Sequence, residues 1–159
     1  MIKKLLLIFI LIQSVALSEW NIVKIPLNKE ETLFKKELML ELGSADNISP
    51  FMNVGDENIS FTIFKKDGEN PFKKEDTIFR FKVDNKLIET KPTSGSTFGD
   101  NVTFSISTLL ISGEKYKEIV EAFKEGSELK ILIMNSSGVK MLFDTSLDSF
   151  NKQIHELNF

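Results

Sequence analysis

Apolar and polar residues alternate in short runs along most of this chain. A period of two is the pattern of a strand with one buried face, so it restricts the fold to sheets. Trp20, Ile22 and Ile25 open the first run, which stops near Pro26. Leu38, Leu40 and Leu42 form a second, ended by Gly43-Ser44-Ala45-Asp46. Ile59, Phe61 and Ile63 alternate, as do Phe79, Phe81 and Val83, and then Val102, Phe104 and Ile106. Leu129, Ile131 and Ile133 are followed by Val139, Met141 and Phe143. The breaks between runs have turn chemistry: Lys66-Asp67-Gly68, Asp84-Asn85 leading into Lys86-Leu87-Ile88, and Asn135-Ser136-Ser137-Gly138. Residues 29–36 are charged and fit a loop, a helical turn or an early part of the second strand.

The period changes twice, both times late. Tyr116, Ile119, Val120 and Phe123 recur at helical spacing behind Ser112, a suitable N-cap, with Gly126 as the stop. Leu147, Phe150, Ile154 and Leu157 share one face of a short terminal helix capped by Thr145 or Ser146. Seven or eight short strands with two short helices in the C-terminal half predict a mainly β fold. The architecture expected is a single-domain antiparallel β-sandwich, or a partly open barrel. Fourteen phenylalanines fall mostly on strand faces, where they fill a core without requiring hydrogen-bond partners.

The first 18 residues stand apart from this pattern. Lys3 and Lys4 precede an apolar run over residues 5–12, continued by residues 15–17, and Ala16-Leu17-Ser18 places small residues where a signal peptidase reads. That order of charge, apolar core and small residues is an export signal, too short for the roughly 20 residues that span a bilayer. Residues 1–18 are therefore expected to be removed, and residues 19–159 to fold as one β-sandwich domain without a membrane span. Cleavage takes two lysines, leaving 18 basic residues against 23 acidic ones and a net charge of −5. A chain this acidic is a poor ligand for nucleic acid. The absence of cysteine excludes disulfides, a lipid-attachment thiol, thiolate-held zinc and thiol catalysis. Arg80 is the lone arginine among many Lys, Ile, Asn and Phe residues, the usage of an AT-rich genome. The expected compartment is a bacterial periplasm or the cell exterior.

No residue set forms a catalytic motif, and neither enzymatic activity nor a cofactor is expected. His155 is the single histidine, close to the C-terminus and off the apolar face of its helix. Glu30-Glu31 and Glu75-Asp76 sit beside lysines in loop-like surroundings, where a solvated surface is the expected role rather than paired-carboxylate chemistry. Lys35-Lys36, Lys65-Lys66 and Lys73-Lys74 would grip an anion only if the fold clustered them, and each has acids nearby. Asn47, Asn58, Asn101 and Asn135 each begin an Asn-x-Ser/Thr triplet, which matters only in a eukaryotic secretory pathway. Residues 92–100 are rich in Ser, Thr and Gly but lack the lysine that completes a phosphate loop. They read as a flexible hairpin connection in which Thr93, Ser94, Ser96 and Phe98 are the candidate contacts for a partner.

From residue 78 on, the order of elements is distinctive. A strand ends in Val83-Asp84, and a small-residue loop leads to a strand over residues 102–107. A short helix stops at Lys124-Glu125-Gly126, two strands flank a Ser-Ser-Gly turn, and Leu147-Asp148-Ser149-Phe150 opens a closing helix. This half of the chain resembles exported bacterial proteins of the invasion-associated locus B type and small periplasmic proteins associated with type VI secretion. The resemblance implies a small exported β-sandwich with a binding or envelope role and no catalytic motif. The expected function is thus non-enzymatic binding of a protein partner in the envelope, through an exposed strand edge or residues 92–100. The alternative is an envelope hydrolase or small-ligand carrier whose site forms only on folding; a structural subunit of an envelope assembly is a third reading.

Overall fold

The computed structural model describes residues 19–98 and 105–157. Residues 1–18, the segment expected from sequence to be an export signal, lie outside the described residues. Ten strands form two antiparallel sheets: β1 (Trp20–Pro26), β2 (Phe34–Glu41), β3 (Ile48–Val54), β4 (Asn58–Lys65), β5 (Ile78–Val83), β6 (Lys86–Thr90), β7 (Ser94–Phe98), β8 (Ser105–Ser112), β9 (Glu128–Met134) and β10 (Lys140–Ser146). The larger sheet has the order β1-β2-β3-β4-β8-β7 and the smaller β10-β9-β5-β6. Helix α1 (Gly113–Glu125) links β8 to β9, and α2 (Asp148–Gln153) with a 3-10 turn (Ile154–Leu157) closes the chain. The expected sandwich is present, and the sheets do not close into a barrel.

Alternation decides which side chains meet between the sheets. Phe61 of β4 stacks on Phe79 of β5 with ring centroids 4.3 Å apart, joining the two layers at their centre. From there an aromatic row runs to one end of the sandwich. Phe81 meets Phe123 of α1 edge-on at 5.9 Å, and Phe123 meets Phe150 of α2 at 5.5 Å. Trp20 of β1 closes the row, 5.0 Å from Phe150 and 6.1 Å from Phe123. All six rings are fully buried. The first strand is also tied to the last helix through its backbone. Trp20 N–H donates to Ser149 Oγ at 3.0 Å and Ile22 N–H to Gln153 Oε1 at 3.1 Å. Gln153 Nε2 donates to the Trp20 carbonyl. These bonds satisfy the outer edge of β1 over its first residues, a covering that keeps a sheet edge from pairing elsewhere.

Several local expectations need correction. Strand β3 was hidden by Pro50, which normally argues against an interior strand. Pairing with β2 ends at Glu41↔Phe51, just before the proline. The Pro50 carbonyl accepts Leu42 N–H at 3.1 Å, so the missing N–H faces the β2 side, where the ladder stops, and no bond to β4 is lost. Of the three readings open for residues 29–36, the early part of the second strand holds from Phe34 on, and residues 29–33 belong to the turn of a β1–β2 hairpin. Ser112 precedes α1 as expected but makes no side-chain cap; its hydroxyl instead meets Thr93 Oγ1 at 3.2 Å. The turn into the helix is made by Gly113 at φ +72°. At the terminal helix the N-cap is Leu147, which makes no side-chain cap, rather than Thr145 or Ser146; Ser146, one residue earlier, accepts Asp148 N–H through Oγ at 3.1 Å. Gly126 ends α1 at φ −93°, so a left-handed conformation is not what requires glycine there. A Cβ at this position would lie 2.1 Å from Val83 Cγ1, and close approach of helix and sheet is the reason.

Tyr116 fixes α1 to the β3–β4 turn by donating to the Gly55 carbonyl at 2.6 Å. Burial, reinforced by the nearby Asp56 and Glu57 charges, pushes its hydroxyl up to about 12. An unfolded tyrosine ionises near pH 10. The neutral hydroxyl's contribution is therefore intact below about pH 10 and is lost as pH climbs toward the folded-state value. Tyr116→Phe is expected to cost about 1 kcal/mol at neutral pH through the lost hydrogen bond. Near pH 11 the wild type gives up roughly 1 kcal/mol that the variant cannot lose, and the gap closes. Urea unfolding of both proteins at the two pH values checks this; a gap that widens with pH would contradict it.

Candidate functional site

The segment singled out for partner contact is not an open hairpin connection throughout. Its first half is β7, an edge strand running antiparallel to β8 from Ser94↔Leu110 to Phe98↔Ile106. Residues 99–104 lie outside the described residues. The exposed strand edge and the small-residue segment, two separate expectations from sequence, thus fall on the same residues.

The four candidate residues have different roles. Thr93 anchors the strand: its N–H donates to the Leu110 carbonyl at 2.6 Å and its hydroxyl to the same oxygen at 2.9 Å. Ser94 and Ser96 are exposed. Their partners Leu110 and Thr108 alternate with the buried inward residues Ser107, Leu109 and Ile111, which puts both serines on the outer face. Phe98 ends the strand opposite Ile106, and its side chain lies outside the described residues. On the inner face Gly95 allows a close approach. A Cβ there would sit 3.1 Å from both Leu109 Cδ2 and Lys74 Cβ, so a side chain would press against the crossover from β4 to β5.

That crossover, residues 66–77, is held in place by buried polar groups. Asn70 Nδ2 donates to the Ile63 carbonyl at 2.7 Å and Asn70 Oδ1 accepts Phe72 N–H at 3.0 Å. Ser107 Oγ donates to the Phe72 carbonyl at 3.3 Å. From the far side Asn135 donates to the Pro71 carbonyl at 2.8 Å while its Oδ1 accepts Val139 N–H at 3.0 Å. Asn135 is thus a buried structural residue, and the sequence signal for it was only a turn. Between crossover and β7 lies a cleft of about 200 Å³, lined by Glu69, Lys73, Lys74, Glu75, Ser96 and Thr97 among others. Its charges balance. Lys73 Nζ pairs with Glu69 Oε1 at 2.7 Å, and the hydrogen bond lowers the Glu69 carboxyl and raises the Lys73 amine from their ordinary values. Both groups are fully exposed, so the pair contributes little to stability.

The three dilysines do not all gather at one place. Lys35-Lys36 stands on β2 beyond its last pair with β3, at the Val54 end of that strand. Lys65 lies at the opposite end, across from Ile48. Lys35 is engaged by Glu37 at 2.6 Å and Lys73 by Glu69. Glu30 and Glu31 occupy the β1–β2 turn, whereas Asp76 Oδ2 accepts Ser136 Oγ at 3.1 Å and Glu75 lines the cleft beside β7. His155 is exposed on the 3-10 turn. Among the described residues no group of three or more His, Asp or Glu side chains is placed to hold a metal ion. No helix among them is long and apolar enough to cross a membrane.

Edge protection distinguishes β7 from the other three outer strands. β1 carries Lys24 and Pro26, β6 carries Lys86 and Glu89, and β10 carries Lys140 and Asp144. Charges and prolines of this kind discourage further pairing. Among the described edge strands β7, Ser-Gly-Ser-Thr-Phe, alone has neither. Comparison with known proteins gives no matching family model and no matching curated sequence.

Proposed function

We propose that this protein is exported to a bacterial periplasm or cell exterior, sheds residues 1–18, and acts there by binding a protein partner rather than by catalysis. The mode is strand addition: an extended segment of the partner pairs with the free edge of β7. Main-chain hydrogen bonds supply affinity in this mode, and neighbouring pockets that take alternate side chains supply selectivity. The unprotected edge of β7 carries the reading, because a strand with no charge or proline invites pairing. The cleft beside it, with balanced charge at Glu69, Lys73, Lys74 and Glu75, offers room for side chains of the added strand. The export-type N-terminus and the likeness of residues 78–157 to exported envelope proteins support the location.

Photo-crosslinking in the producing cell tests this directly. A photoreactive residue at Ser96 is expected to trap one discrete protein, and the same residue at exposed Leu142 on β10 is not. Ser94→Lys adds an edge charge on the outer face and is expected to abolish the adduct while changing stability by less than about 0.5 kcal/mol. An adduct insensitive to Ser94→Lys, or none at Ser96, contradicts the proposal.

A further inference from the structure

The β1–β2 hairpin extends past the body of the larger sheet. Pairing of β2 with β3 ends at Leu38↔Val54, but pairing with β1 continues to Pro26↔Phe34. Four residues at strand spacing make an arm about 13 Å long before its turn is counted. Both its ends are fixed. At the base the buried carboxylate of Glu37 takes Asn53 Nδ2 at 3.1 Å and Lys35 Nζ at 2.6 Å. At the tip Asn28 Oδ1 accepts the N–H groups of Thr32 at 2.9 Å and Leu33 at 3.1 Å.

This arm holds three of the five exposed large hydrophobic side chains among the described residues: Leu27, Leu33 and Phe34, at 60, 61 and 47 % exposure. Pro26 pairs with Phe34, and one step further out Leu27 N–H donates to the Leu33 carbonyl at 2.7 Å, so continued alternation puts the two leucines of this apolar belt on the face opposite Pro26 and Phe34. Behind the belt Lys24 stands directly opposite Lys36, an arrangement that costs stability unless a counter-charge is supplied. Neither lysine has an ion pair among the described residues. In front of the belt the turn carries Lys29, Glu30 and Glu31, so its net charge is −1 and the tip is acidic where the belt's other side is basic. The lysine pair lies about 7 Å behind Phe34 by strand spacing, and the turn carboxylates lie on its other side.

We infer that two copies of this chain associate through these arms, crossed antiparallel with belt against belt. Lys24 and Lys36 of each copy then face Glu30 and Glu31 of the other. Because the order cation, apolar belt, anion is self-complementary when reversed, it suits a two-fold interface in which both copies use the same patch. A lipid surface fits less well, since the turn carboxylates would enter before the belt. The arm is at the opposite edge of the larger sheet from β7, so association leaves both β7 edges free, and the inference does not rest on the proposed function.

Sedimentation equilibrium of the purified protein tests it. Twice the monomer mass is expected at about 100 μM, with Phe34→Glu weakening association by about a hundredfold at unchanged far-ultraviolet dichroism. Lys24→Glu/Lys36→Glu and Glu30→Lys/Glu31→Lys should each be monomeric alone and should form a mixed dimer when combined. A monomeric wild type, or charge variants that self-associate as tightly as wild type, overturns the inference. So does binding to vesicles of phosphatidylcholine and phosphatidylglycerol without self-association.

Discussion

Trp20→Ala is expected to lose about 3–5 kcal/mol of folding stability, the range for removing a large aromatic side chain from a packed core. Trp20 is fully buried and contacts both Phe123 and Phe150, so its loss opens a cavity where β1, α1 and α2 meet. Domains of this size are stable by only about 5–15 kcal/mol, so the change removes a large share. The indole Nε1 has no hydrogen-bond partner among the described residues. Trp20→Phe therefore gives up volume but also removes a buried unpaired donor, and should cost only about 1 kcal/mol. Urea unfolding followed by far-ultraviolet dichroism measures both, since the chain has no other tryptophan to report by fluorescence. Equal losses from the two variants would show that the site is not packed as described. The position also bears on the proposed export: cleavage after Ser18, if it occurs as proposed, would leave Trp20 as the second residue, and a cut two residues later would remove it from the core.

Gly126→Ala is the second large effect, with an expected loss of about 3 kcal/mol, at the upper end for overpacking. The new methyl would stand 2.1 Å from Val83 Cγ1, 3.0 Å from the Ala122 carbonyl oxygen and 3.2 Å from Leu147 Cδ1. Neither the helix end nor β5 can retreat easily. The Asp84 carboxylate accepts Glu128 N–H at 3.0 Å, and Gly126 N–H donates to the Ala122 carbonyl at 2.9 Å. Val83→Ala removes the clashing methyl, so the double variant should be less destabilised than the sum of the two single changes, by about 1 kcal/mol or more. Strict additivity in a denaturation cycle would contradict close approach as the reason for glycine.

Gly126 also shows how sequence reading and structure part company. Its place at the end of a helical run was legible, but the reason was not. A terminator in a left-handed conformation and a glycine that admits a neighbouring side chain look alike in one dimension. The strands with clean alternation, such as the runs through Phe61, Phe79 and Ile131, were legible because each has one buried face. β3 was not, since the cost of Pro50 depends on where the ladder with β2 ends, which is a property of the paired strands. The hairpin arm was left open for a similar reason. Its charged residues fit a loop, a helical turn or an early part of the second strand, and only the pairing of Pro26 with Phe34 makes them a ribbon. At the candidate site, composition alone drew attention to Thr93, Ser94, Ser96 and Phe98. That the segment is an unprotected edge, and that Lys74 packs over Gly95, depends on which strand the chain returns to after β6.

The account centres on β7 as the strand to which a partner adds. Amide hydrogen exchange, measured on the protein alone and with the protein trapped through Ser96, reads this edge strand by strand. The account predicts slowed exchange in β7 on complex formation, with β6 and β10 unchanged. Unchanged exchange in β7 alongside new protection at another edge would contradict it.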